Sequence, residues 1–145
     1  MNRLILSYDP EDGYHGELTA KVESDGFVGQ SSAWFGVKQL DAFGDALLAF
    51  PITSYAKPSL GGGFWENGTL DQTHISICVE PAGPRGALRV IVALATPSWD
   101  LGRVDQHSIR AQFLIKYGDI DAFLPLYREM IAGRESSACL EASPT

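Results

Sequence analysis

Along Glu17 to Glu23 apolar and polar side chains alternate, with Leu18, Ala20 and Val22 on one side and Glu17, Thr19, Lys21 and Glu23 on the other. That two-residue period predicts a half-buried strand. Arg3 to Tyr8 reads as a shorter strand before it, joined through Asp9-Pro10-Glu11-Asp12-Gly13, a turn by composition. Ser24-Asp25-Gly26 then turns the chain into Phe27 to Phe35, where Ala33 and Phe35 alternate with Ser32 and Trp34. Gly29 inside this run is expected to mark a bulge. The period then changes. Leu40, Phe43, Leu47 and Phe50 recur at three- and four-residue steps and predict a helix over 38–50, stopped by Pro51. Gly44 weakens it by about 1 kcal/mol relative to alanine.

The second part of the chain repeats this plan. Thr73, Ile75, Ile77 and Val79 alternate with His74, Ser76, Cys78 and Glu80, and a Pro- and Gly-rich turn follows at 81–86. Leu88 to Thr96 is apolar at nearly every position, as a central strand covered on both faces or set well inside the sheet would be. A last strand is expected over 104–117, with Ile109, Ala111, Phe113, Ile115 and Tyr117 inward. A second helix is expected from Asp121 to Ala132, burying Phe123, Leu124, Tyr127 and Ile131, capped by Asp119 or Asp121 and ended by Gly133. Pro125 belongs near a first turn, which favours Asp121 as the cap. The two helical patterns open alike, Leu40-Asp41-Ala42-Phe43 and Ile120-Asp121-Ala122-Phe123. This echo predicts a duplicated architecture.

The expected fold is therefore α+β. One mostly antiparallel sheet of about six strands carries both helices on one face, in a βββα-βββα pseudo-repeat. A single domain over 1–133 divides into halves 1–50 and 72–133. Residues 51–71, with Gly61-Gly62-Gly63 and Asn67-Gly68, form the joining loop. Its aromatics Tyr55, Phe64 and Trp65 either fold back as a lid, the preferred reading, or face a partner. Residues 134–145 read as a flexible polar tail.

Composition adds a charge asymmetry. The 145 residues are 45% apolar and 20% charged, ordinary for a globular domain, with a formal charge of −7. Residues 1–72 hold ten acids and four bases, whereas 73–145 hold eight and seven. Between Asp9 and Asp25 six acids accompany only Lys21. Such a surface repels nucleic-acid phosphates and attracts basic proteins, or simply keeps the chain soluble. The apolar run through Ile91 to Ala95, which begins at Val90, is too short to span a bilayer. Leu4-Ile5-Leu6 is cut off by Ser7-Tyr8-Asp9, so no signal-peptide core is expected. Cytoplasmic localisation with free Cys78 and Cys139 follows, without binding to membrane or nucleic acid.

Candidate chemistry is sparse. His74 and Cys78 share a strand face in the alternating pattern but stand about 13 Å apart, too far to share a zinc ion. His15 and His107 lie beside acids and read as surface pairs. Gly61-Gly62-Gly63 lacks the Lys-Ser or Lys-Thr of a phosphate loop. The acidic turn lacks calcium-loop spacing, and no Gly-x-Ser-x-Gly elbow exists. No cofactor, metal or catalytic residue is assigned. Acid–base pairs of Asp and Glu, which leave no sequence signature, keep an enzyme as a third reading.

Gly26-Phe27-Val28-Gly29 through Ser32-Ala33-Trp34-Phe35, followed by Leu40 to Pro51, resembles a group of small bacterial proteins. So does Ala111-Gln112-Phe113 to Tyr117, followed by the Phe123 helix. The group comprises domains of unknown function and immunity-type proteins that neutralise polymorphic toxins by binding them. The resemblance implies a non-catalytic cytosolic protein that covers the active site of a basic toxin. The expected contacts are Asp9, Glu11, Asp12, Tyr14, Glu17, Glu23 and Asp25, with Trp65 or Trp99 as aromatic anchor. The alternative is a small-molecule-binding or structural domain that forms a homodimer through its sheet.

Overall fold

The computed structural model describes residues 1–98 and 105–144. Three strands, β1 (Asn2–Pro10), β2 (His15–Ser24) and β3 (Phe27–Gly36), lead into α1 (Val37–Leu47). Four more, β4 (Ser59–Glu66), β5 (Thr69–Pro81), β6 (Leu88–Ala95) and β7 (Ser108–Ile115), lead into α2 (Tyr117–Ile131), and β8 (Ser137–Glu141) closes the chain. The α+β class is as expected, but the strands form two four-stranded antiparallel sheets in place of one six-stranded sheet. The first sheet has the order β3-β2-β1-β8 and the second β4-β5-β6-β7. Each helix is followed by a strand that joins the first long strand of the other half. After α1, β4 pairs with β5; after α2, β8 pairs with β1. In chain order the elements run βββαβ-βββαβ in place of the expected βββα-βββα, and each set of three strands is completed by the strand that leaves the other set's helix.

The two additional strands lie where apolar alternation is weak. In β4, Gly61-Gly62-Gly63 removes the side chains that would show a period, yet the backbone pairs with Ser76, Ile75 and Thr73. β8 buries only Ala138 and Leu140, within the stretch expected as a tail. The structure ties that stretch down: Ala142 N–H donates to the Asn2 carbonyl, and the Lys116 ammonium donates to that of Pro144. The β2–β3 and β4–β5 hairpins have two-residue turns, Asp25-Gly26 and Asn67-Gly68, with positive φ at both positions. This is the turn whose twist matches paired strands.

The sheets meet by crossing. Along β3, Gly29 abuts Ile109 of β7, the Ser31 hydroxyl donates to the Ala95 carbonyl at the end of β6, and Phe35 lies over Gly62 of β4. β3 therefore runs across the strands of the second sheet. Gly29 is not a bulge, since β2 and β3 stay in continuous register. It gives the room that Ile109 occupies, as Gly62 does for the Phe35 ring. Buried side chains from both sheets and both helices form one core.

The helices differ from expectation at their ends. α1 stops at Leu47, so Phe50 leaves the apolar stripe and stands exposed, its ring edge-on to Tyr117 at 4.8 Å. α2 starts at Tyr117 in place of Asp121, ending β7 at Ile115. Asp119 accepts the Lys116 backbone N–H at 2.8 Å, satisfying an amide at the helix start. Pro125 lies within the helix on its solvent side, where water can satisfy the carbonyl left without an N–H partner. The helices are joined by Tyr127, whose buried hydroxyl donates to the Leu40 carbonyl at 2.7 Å. Arg128 reaches Asp45 at 2.7 Å and Asp41 at 3.5 Å. An added Cβ at Gly44 would stand 2.8 Å from the Arg128 guanidinium, the far end of a flexible side chain that can shift to make room. No described helix is long and apolar enough to cross a membrane.

Candidate protein-binding face

The β1–β2 register decides which acidic side chains meet. Asp9 stands opposite Glu17, and Glu17 stands opposite Trp34 on β3. All three lie on the outer side of the first sheet, because their neighbours Tyr8, Leu18, Ala33 and Phe35 are buried. Among the described residues neither Asp9 nor Glu17 forms an ion pair. Like charges directly opposite across a strand pair destabilise it. Trp34 is 53% exposed beside them.

The turn between these strands carries Glu11, Asp12 and Tyr14. Asp12 is a structural acid as well as a surface one. Its Oδ1 accepts the backbone N–H groups of Tyr14 and His15, both at 2.8 Å. Those bonds hold its carboxyl below the usual range. They also set Tyr14 outward with its side chain exposed, while the Tyr14 carbonyl accepts the Val37 N–H at the start of α1. Beneath this end of the sheet Tyr8 is buried against Gly16, where a Cβ would fall 2.5 Å from the phenol ring. Burial, with Asp12 nearby, pushes the Tyr8 phenol up.

The acidic candidates do not form one cluster. Asp9, Glu11, Asp12, Tyr14 and Glu17 gather at the β1–β2 turn. Glu23 lies six residues along β2 from Glu17, about 20 Å away, with Asp25 in the next turn. Glu23 is also neutralised: Arg3 sits 3.2 Å from it and Lys21 3.6 Å. The Arg3 hydrogen bond holds its carboxyl low. Trp65 is half exposed near the end of β4, in the other sheet. Trp99 lies outside the described residues. The aromatic that the register places beside the acids is Trp34. Its alternation with the inward residues Ala33 and Phe35 was the available signal.

The histidine and cysteine candidates separate. Register shifts in the β4–β5 pair leave His74 and Asp71 as extra residues on β5. The first turns His74 inward beside Ile75, so it does not share a face with Cys78. His74 donates from Nε2 to Gln72 Oε1 at 2.6 Å, and the same oxygen accepts the Ser98 N–H at 2.7 Å. An oxygen that already accepts from Ser98 requires a protonated Nε2, which fixes the neutral tautomer. Burial holds this imidazole below the ordinary histidine range. His74 anchors the chain at Ser98. Among the described residues no three of His, Cys, Asp and Glu are grouped to hold a metal.

Comparison with protein-family models, curated proteins and solved structures yields no match for this chain.

Proposed function

We propose that this chain is a non-catalytic protein-binding domain that neutralises a basic protein, in the manner of a toxin-immunity protein. The observation that supports this most is the Asp9–Glu17 pair, two carboxylates opposite each other with no ion-pair partner among the described residues and flanked by exposed Trp34. A cationic partner relieves the repulsion, and the adjoining indole supplies apolar area at low entropy cost. Glu11, Asp12 and Tyr14 extend the surface around the turn. Glu23, engaged by Arg3, and Asp25 lie at the far end and contribute to the general field. Steering by that field makes association fast and sensitive to salt.

The test is rescue of growth in cells expressing a candidate toxin, beginning with a secreted toxin encoded beside this gene. The unaltered chain restores growth, and Asp9→Lys combined with Glu17→Lys abolishes rescue while the thermal unfolding transition persists. Trp34→Ala weakens binding by about 2 kcal/mol, as an anchor does. Undiminished rescue by the charge-reversed variant would overturn the proposal.

A further inference from the structure

A groove of about 600 Å³ separates the β5–β6 turn from the segment after α1 and the start of α2. Phe50, Pro51, Pro84 and Tyr117 give it apolar walls, and its charged lining residues are Arg85 and Lys116. On a chain of net charge −7 this is a local reversal of sign. Among the described residues Arg85 has no hydrogen-bond or ion-pair partner, and the Lys116 ammonium donates only to the Pro144 carbonyl at 3.1 Å. Asp119, the acid nearest in sequence, is occupied by the backbone N–H of Lys116 and by Ser143. The groove is also braced: the Ile52 N–H donates to the Tyr117 hydroxyl at 2.9 Å, and the Ala82 N–H to the Ala87 carbonyl at 2.9 Å.

We infer that this groove binds a small organic anion with a flat apolar body, of the arylcarboxylate class. Its volume falls in the range of small-molecule sites, roughly 300–1,000 Å³. The walls offer ring faces and proline edges to the apolar part. Arg85 has a planar guanidinium that can take both oxygens of a carboxylate, and Lys116 adds a second positive charge. This site is separate from the acidic face and does not depend on the protein-binding proposal.

The experiment is a titration of the isotope-labelled full chain, followed by the backbone amide signals. Three probes divide the requirement: phenylacetate carries body and charge, phenylacetamide the body alone, and acetate the charge alone. Phenylacetate is expected to shift Arg85, Gly86 and Tyr117 saturably, with both other probes binding about tenfold more weakly or less. Arg85→Glu, at an exposed turn position, is expected to weaken phenylacetate binding by at least about tenfold without moving the unfolding transition. Absence of saturable shifts up to roughly 20 mM overturns the inference. Equal binding of the amide, or unchanged affinity in the Arg85 variant, does so as well.

Discussion

On the outer side of the second sheet Glu80 is held by Arg89 at 3.1 Å and by Lys57 at 3.6 Å. On the outer side of the first, Asp9 faces Glu17, and among the described residues neither has a cationic partner. The inner sides do not differ this way. Leu4, Leu6, Leu18 and Val22 of one sheet and Ile75, Ile77, Val90 and Val92 of the other are all buried. The helices echo each other too: Leu40 and Ile120 are buried, as are Phe43 and Phe123. The two halves are alike inside and differ outside. The shared pattern makes the scaffold, and the unshared charges mark where the first sheet departs from what stability alone favours.

The likeness of the two halves is lost most completely if one completing strand is removed. Truncation after Ser136 deletes β8, exposes the β1 edge and uncovers the core beside Ala138 and Leu140. Burial of Leu140 alone is worth about 2 kcal/mol, and several ladder hydrogen bonds are lost with it. Set against a typical stability of about 5–15 kcal/mol, the truncated chain is expected to lose its cooperative thermal transition. A sharp transition at an unchanged temperature would show that β8 is dispensable.

Next in size is the pair Phe43→Ala and Phe123→Ala. Each removes a buried ring at an equivalent place in the two halves, and each is expected to destabilise by about 3–5 kcal/mol. If the halves are energetically as alike as their burial indicates, the two losses measured by urea unfolding agree within about 1 kcal/mol. A large disparity would mean that one helix carries the core.

In the second sheet a bulge has turned a polar residue, His74, inward. Its pKa is lowered by burial, so on acidification the unfolded chain takes up a proton that the folded chain refuses. Stability from this source is present above the ordinary histidine pKa of about 6.5 and is lost as pH falls below it. Asp12 and Glu23, also held low, act in the same direction but only in the carboxylate range. Between about pH 7.5 and 5.5 the unfolding free energy should therefore fall in the unaltered chain and flatten in His74→Gln. Parallel curves for the two would assign the slope elsewhere.

Much of this interior was legible in the chain itself, because residues such as Leu18, Ala20 and Val22 repeat at a period fixed by strand geometry. Both helices were legible for the same reason, as was the repeated Leu/Ile-Asp-Ala-Phe opening. β4 was hidden because three glycines carry no hydrophobic signal, and β8 because two buried residues make no period. Division into two sheets was hidden too. It depends on crossings at Gly29–Ile109 and Gly62–Phe35, which relate residues far apart in sequence. The turn-end acids could be named as a group. Their arrangement could not, since the opposition of Asp9 and Glu17, and the place of Trp34 beside them, exist only once the strands take their register.

That register gives the smallest and most discriminating prediction. Asp9→Asn and Glu17→Gln each remove one of two opposed charges on the outer face. Folding is expected to gain a few tenths of a kcal/mol from either substitution, because cross-strand like-charge pairs are unfavourable on that scale. The double variant should gain less than the sum of the two, since the repulsion can be relieved only once, and added salt should shrink the gain. Binding of a basic partner should move the opposite way, with the association rate falling most. Stability rising while affinity falls is the signature of a surface kept for recognition. If the substitutions leave stability unchanged or lower it, the carboxylates contribute to the fold and the contrast between the two sheets has another cause.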